Sequence, residues 1–154
     1  PREDLIRRQV TAYSKVKDNL SAHADNYPDS GQLLKVTATG QPGYGMEAVG
    51  EGKKSPGSRL LLEAADRDHE KPLWVSVWGG ANTLAQALFD ARKERSPKQI
   101  KELISGLRIY TISDQRTILS IFHITCKDLN MRSIQVNITY DIHIAINSVN
   151  NAYP

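Results

Sequence analysis

The chain has 154 residues, 40% hydrophobic and 24% charged, the size and balance of one globular domain with no room for a second. Its net charge of +3 arises from 20 Lys and Arg scattered against 17 Asp and Glu, with no basic run longer than Arg7-Arg8 or Lys53-Lys54, so the clustered footprint of a nucleic-acid binder is missing. No stretch of about 18 apolar residues is present to cross a bilayer, and the single cysteine, Cys126, excludes an internal disulfide and a cysteine-rich zinc site.

The chain starts at Pro1 with charged residues at once, and its N-terminus is expected to be missing or processed away. From Glu3 to Leu20, the residues Ile6, Val10, Tyr13, Val16 and Leu20 recur at three- and four-residue spacing and predict an amphipathic surface helix. From Asn26 to Gly57 glycines and prolines crowd together. They predict a long shaped loop, functional or merely connecting, with helical pieces at Gln32 to Val36 and Met46 to Val49. A helix is expected from Ser58 to Asp66, and then a strand from Leu73 to Trp78. Gly79-Gly80 break that strand, Asn82 or Thr83 is expected to cap the next helix, and Leu84, Ala85, Ala87, Leu88 and Ala91 carry it. After Ser96-Pro97 a further helix runs through Ile100, Leu103 and Ile104 to Gly106, and Leu107 to Ile112 reads as a second strand. Strand, helices, strand is a βαβ unit, and such units build parallel sheets.

In an open parallel sheet the ligand crevice lies beyond the carboxyl ends of the strands. Two loops reach it here, Trp78-Gly79-Gly80-Ala81-Asn82 and Ser113-Asp114-Gln115. The glycines let backbone approach a ligand, and the following helix aims its N–H groups at the same place. The competing reading is that the glycines only permit a turn and Asn82 only caps a helix. Gly79-Gly80-Ala81-Asn82-Thr83 is not a dinucleotide fingerprint. Trp74 and Trp78 lie four apart on a strand and share a side, where core packing is expected over sugar stacking. His23 and His69 sit in polar, turn-rich surroundings and are expected to be exposed.

The run from Lys71 to Leu88 (KPLWVSVWGGANTLAQAL), followed by Leu107 to Gln115 (LRIYTISDQ), resembles the nucleoside-hydrolase-like domain of cellulose-binding proteins. The likeness extends upstream through Gly40-Gln41-Pro42, Tyr44-Gly45-Met46 and Val49 to Lys53, so it covers about residues 1–115. It implies an α/β fold, an open, mostly parallel doubly wound sheet that is N-terminally incomplete here. It also implies calcium in the complete parent domain, held by an aspartate cluster with a loop carbonyl near Asn82 as a further ligand; oxygen-only ligation suits that hard cation. In related hydrolases a carboxylate of the cluster helps a metal-bound water attack the anomeric carbon. That cluster belongs to a first strand expected before Pro1, so the catalytic residues of this chain are unknown. Asp66-Arg67-Asp68, at the end of a helix before a strand, is expected on the opposite rim as solvated surface. The rim residues expected to meet substrate are Asn82, Asp114 and Gln115, with Asn82 also the metal contact. The implied partner is a nucleoside or carbohydrate, not nucleic acid or membrane; a homo-oligomer is allowed, and the resemblance is compatible with secretion.

Residues 116–154 read differently, since all 10 glycines precede them. The family continues Ser-Asp-Gln with two aspartates where this chain has Arg116-Thr117, and a frameshift or read-through intron is one reading of that tail. Against it, Ile134, Val136, Ile138, Tyr140, Ile142, Ile144 and Ile146 alternate with Gln135, Asn137, Thr139, Asp141, His143, Ala145 and Asn147, a long period-two strand pattern. Two functions follow: a hydrolase of N-glycosyl or related sugar bonds whose carboxylates lie outside these residues, inactive as this piece, or a non-catalytic carbohydrate-binding module. Fold alone does not choose between them.

Overall fold

The structure, a computed structural model, describes residues 2–67, 70–79 and 81–111 in full and residues 136–138 by their backbone. The single helix expected over residues 3–20 is two, α1 (Glu3–Ser14) and α2 (Lys17–Ser21). At the break Lys15 N–H donates to Ala12 O and Val16 N–H to Tyr13 O, the tighter pattern of a helix end. Tertiary ties accompany it: Tyr13 Oη donates to Pro28 O at 2.7 Å and Lys17 Nζ reaches Asp29 at 2.7 Å. Both segments are thereby docked on the turn that opens α3 (Ser30–Lys35), where Asp29 and Gln32 form a capping box. The turn-rich stretch then contains one 3-10 turn, Met46–Ala48.

Helix α4 (Pro56–Ala65) starts where Ser55 Oγ accepts from Ser58 N–H at 3.1 Å and Ser58 Oγ accepts from Ser55 N–H at 3.0 Å, with Pro56 at the first helical position. Strand β1 (Leu73–Val77) leads into α5 (Asn82–Glu94) and α6 (Pro97–Ser105), and β2 (Leu107–Thr111) follows. Ser96 caps α6 in the same reciprocal way, with Pro97 next. The strands pair in parallel from Leu73 opposite Leu107 to Val77 opposite Thr111, as the βαβ reading requires. Strand β3 (Val136–Ile138) pairs in parallel on the other side of β2, in the order β1-β2-β3. It falls inside the alternating pattern of the tail; the rest of that pattern lies outside the described residues. The open, parallel α/β sheet expected from the sequence is what the chain forms.

One face of this sheet is the core. Val77, Leu107 and Ile109 are buried in one cluster with Leu84, Leu88, Ile100, Leu103 and Ile104 of α5 and α6, and Leu61 and Leu62 of α4 pack against it. The other face carries Trp74 and Ser76, and Trp78 follows just beyond the end of β1, with Trp74 59% and Trp78 74% exposed. Core packing of the two indoles, expected from their spacing, is therefore corrected: no described helix covers that side of β1.

The turn-rich stretch is held against α4 by backbone contact. Gly57 N–H donates to Thr39 O at 2.7 Å, and a Cβ on Gly57 would sit 2.9 Å from both Gly40 Cα and Thr39 O. Backbone cannot yield as a side-chain tip can, so Gly57→Ala should destabilise the chain by about 1–3 kcal/mol. Gly31→Ala, with nothing within 4 Å of the added methyl in α3, should be neutral or gain about 0.5–1 kcal/mol. Urea midpoints of the two variants check this pair; equal midpoints would refute the close-contact account.

Candidate functional site

The carboxyl end of β1 is built by Trp78, Gly79, Ala81 and Asn82. Gly79 holds φ at 124°, a conformation that only glycine adopts readily, and this lets the strand turn at once toward α5. Asn82 and Thr83 were expected as caps of α5, and neither is: Ala81 takes the N-cap position, and no side chain caps the helix. Both residues instead bind the loop above. Asn82 Nδ2 donates to Gly45 O, and Thr83 Oγ1 accepts from Gln41 N–H at 3.1 Å. A helix N-terminus next to a polar loop can satisfy the loop before itself, and that is the physical reason for the difference.

Gln86, one turn further along α5 and fully buried, completes the attachment. Its Oε1 accepts from Gly50 N–H at 2.8 Å and from Gln41 Nε2 at 3.3 Å, and its Nε2 donates to Gly50 O at 2.9 Å. The amide thus matches both backbone groups of Gly50. Gln41 Nε2 also donates to Ala48 O at 3.0 Å and Lys53 O at 2.7 Å. Two acceptors are left over: Asn82 Oδ1 and Gln41 Oε1 are buried without a hydrogen-bond partner among the described residues. Both amide nitrogens are fixed by carbonyls, so exchanging oxygen for nitrogen would only break those bonds.

Of the rim residues expected from the sequence, Asn82 is 2% exposed at the start of α5, beneath the loop at Gly45. Asp114 and Gln115 lie outside the described residues, as do Asp68 and His69. His23 is exposed, and Asp66 is exposed in a two-point pair with Arg95 at 2.6 and 2.7 Å, in keeping with solvated surface. A groove of about 430 Å³ runs from the rim along the outer edge of β1, with Trp78, Gly79 and Thr83 at its rim end and Leu61, Ala64 and Arg67 of α4 and its end along the wall.

Calcium needs six to eight oxygen ligands, several of them carboxylates. Among the described residues no three His, Cys, Asp or Glu side chains gather to hold a metal, and Asn82 Oδ1 is one neutral donor. The described donor set does not fit a calcium ion, and no chemical step is derived through one.

The fold is an open, parallel α/β sheet with a groove beside the carboxyl end of β1. The chain belongs to the family described as "Cellulose-binding Sde182, nucleoside hydrolase-like domain", whose model matches residues 1–150. It is similar to a solved structure of a nucleoside hydrolase-related hypothetical protein from Saccharophagus degradans that is associated with carbohydrate metabolism, with 38% identity and a TM-score of 0.76 over 84% of this chain. The chain spans 31% of that protein's chain. No curated protein matches it.

One acid is held inside the attachment. Asp90 Oδ1 accepts from Gln86 Nε2 at 2.9 Å; burial pushes its carboxyl above the ordinary range, and the Gln86 bond opposes that rise. A carboxyl raised in the folded state holds its proton to higher pH than in the unfolded chain, so stability falls as pH climbs from about 3.8 through the folded value. Asp90→Asn keeps the acceptor and removes the titration. Thermal melts from pH 3.5 to 7 should show this descending contribution in the parent and its loss in the variant; parallel curves would refute it.

Proposed function

We propose that these residues form the sugar-holding rim of a nucleoside-hydrolase-like domain, hydrolytic toward N-glycosyl or related sugar bonds in the complete protein and non-catalytic as these 154 residues. The observation that carries the reading is the buried Oδ1 of Asn82, unmatched among the described residues, at the start of α5 between Ala81 and Thr83, which line the groove at the carboxyl end of β1. A neutral acceptor in that position favours a donor such as a sugar hydroxyl. Gly79 brings β1 backbone to the same rim, and the 13-residue α5 points its N-terminal, positive end there. A ligand reaches Oδ1 when the loop at Gly45 lifts from Asn82 Nδ2, so the loop acts as the cover of the crevice. Cleavage of an N-glycosidic bond asks in addition for carboxylates, which this reading assigns to the rest of the domain; it extends the family membership and the carbohydrate association of the similar structure to this chain's own rim.

A second reading, a non-catalytic cellulose-binding module, is favoured by one observation, the exposure of Trp74 on β1 and of Trp78 just beyond its carboxyl end.

The test is to incubate the purified chain with purine and pyrimidine ribonucleosides and calcium, follow release of free base, and titrate the same nucleosides and ribose by calorimetry. The expected outcome is no release above buffer, measurable sugar binding, and roughly tenfold weaker binding in Asn82→Ala, the effect of one hydrogen bond to a buried acceptor. Base release by the chain would overturn the non-catalytic assignment, and an absence of binding to any of these ligands would overturn the sugar-holding role.

A further inference from the structure

Helix α5 places Gln86, Asp90 and Glu94 four residues apart, one above another on a single stripe. The end of the loop is anchored along that stripe. Gly50 meets Gln86 through both of its backbone groups, and Lys54 pairs with Glu94. Between these anchors Glu51 reaches Lys93 at 2.6 Å, and Lys53 N–H donates back to Gly50 O at 3.3 Å to close a turn. Held at both ends of the stripe, residues 50–54 cover its middle, where Asp90 is 5% exposed.

That carboxyl has no ion pair among the described residues. Lys54 and Lys93, the cations that act on it, are engaged by Glu94 and Glu51. Its hydrogen bond comes from Gln86 Nε2, the same nitrogen that donates to Gly50 O. Burial raises its pKa; the Gln86 bond, Lys54 and Lys93 oppose the rise without cancelling it, and Glu94 adds to it. Helix α4 brings Arg59 to the neighbourhood, where it acts on Lys54, and α6 contributes Ile100, Leu103 and Ile104 to the shared core. A closed loop thus favours the neutral acid, and a lifted loop, which returns the carboxylate to water, favours the charged one. By linkage, acid closes the loop and rising pH releases it. The flanking pairs have the opposite sense in a lower window, since Lys93 and Lys54 hold Glu51 and Glu94 below the ordinary carboxylate range. Release at residues 50–54 reaches the crevice because Gln41 Nε2 ties Lys53 O to Ala48 O, and the stretch beyond it ends on Asn82 at Gly45.

We propose that Asp90 is a proton-operated latch: when neutral it lets residues 50–54 close on α5, and when ionised it loosens them and with them the cover over Asn82. The latch rests on the cover role that the reading above gives the loop, and its release is measured without any ligand.

The experiment follows amide hydrogen exchange of the 154-residue chain by mass spectrometry from about pH 4 to 7, each rate divided by its intrinsic value. Peptides over residues 41–53 report the loop, and peptides over 97–105 report α6 as the reference. In the parent, loop protection should fall as pH rises while that of α6 holds. Asp90→Asn keeps an acceptor for Gln86 and should abolish the fall, leaving the loop protected throughout. Lys54→Met removes a cation that favours the ionised acid and should move the fall to higher pH. Loop protection that is level with pH in the parent would overturn the latch, as would the same fall in Asp90→Asn. A fall shared equally by α6 would overturn it too, because the titration would then act on the whole fold and not on the loop. Should Asp90→Asn lose the protection of α6, the parent and Lys54→Met still decide, since a midpoint that does not rise in Lys54→Met assigns the titration to another group. A chain that shows the latch and binds no sugar would refute the sugar-holding role and leave the latch standing.

Discussion

The loop over residues 40–53 owes its shape to one buried amide. Gln86 lies in the middle of a helix whose neighbouring positions are Leu84, Ala85, Ala87 and Leu88, and a fully buried glutamine there is tolerable only if both ends of its amide are matched. They are matched by the N–H and C=O of Gly50 and by Gln41 and Asp90. A loop without secondary structure carries backbone polar groups that water or protein must satisfy. Here the protein does so from the side of α5, and the loop is held over the rim of the sheet. Gly40 permits the approach, since a Cβ there would collide with the Thr83 hydroxyl that holds Gln41.

That loop separates two surfaces of different character. Beneath it are polar groups removed from water, around Asn82 and Gln41; outside it, along β1, are apolar and aromatic groups facing water.

Much of the fold was legible because periodicity reports burial directly. Ile100, Leu103 and Ile104 sit on the buried stripe of α6, the run from Leu73 to Val77 is a strand, and the Ser-Pro pairs at 55–56 and 96–97 open helices. The reciprocal Ser55–Ser58 and Ser96–Gln99 caps have local sequence signatures, which is why they are readable. What was not legible is non-local. Nothing near Gln86 signals that it meets Gly50, 36 residues away, and nothing near Asn82 signals that its amide is claimed by Gly45 in preference to the helix it begins. The break between α1 and α2 likewise depends on Pro28 and Asp29, beyond the helix itself. For Trp74 and Trp78, alternation correctly put both on one side of the strand; which side a helix would cover is a tertiary fact that strand periodicity does not contain.

The two unmatched oxygens connect these observations to ligand chemistry. A buried acceptor without a donor costs about 1–3 kcal/mol, and Asn82 Oδ1 and Gln41 Oε1 belong to side chains whose nitrogens are already engaged by the same loop. Rotating either amide would exchange one unmet group for another, so the loop's attachment and the unmet acceptors are two sides of one arrangement. Whatever enters and donates a hydrogen bond recovers that free energy, while an anion would face a second electron-rich atom and recover none of it. A neutral polyol is therefore the ligand class that the proposed sugar-holding role assigns to this site.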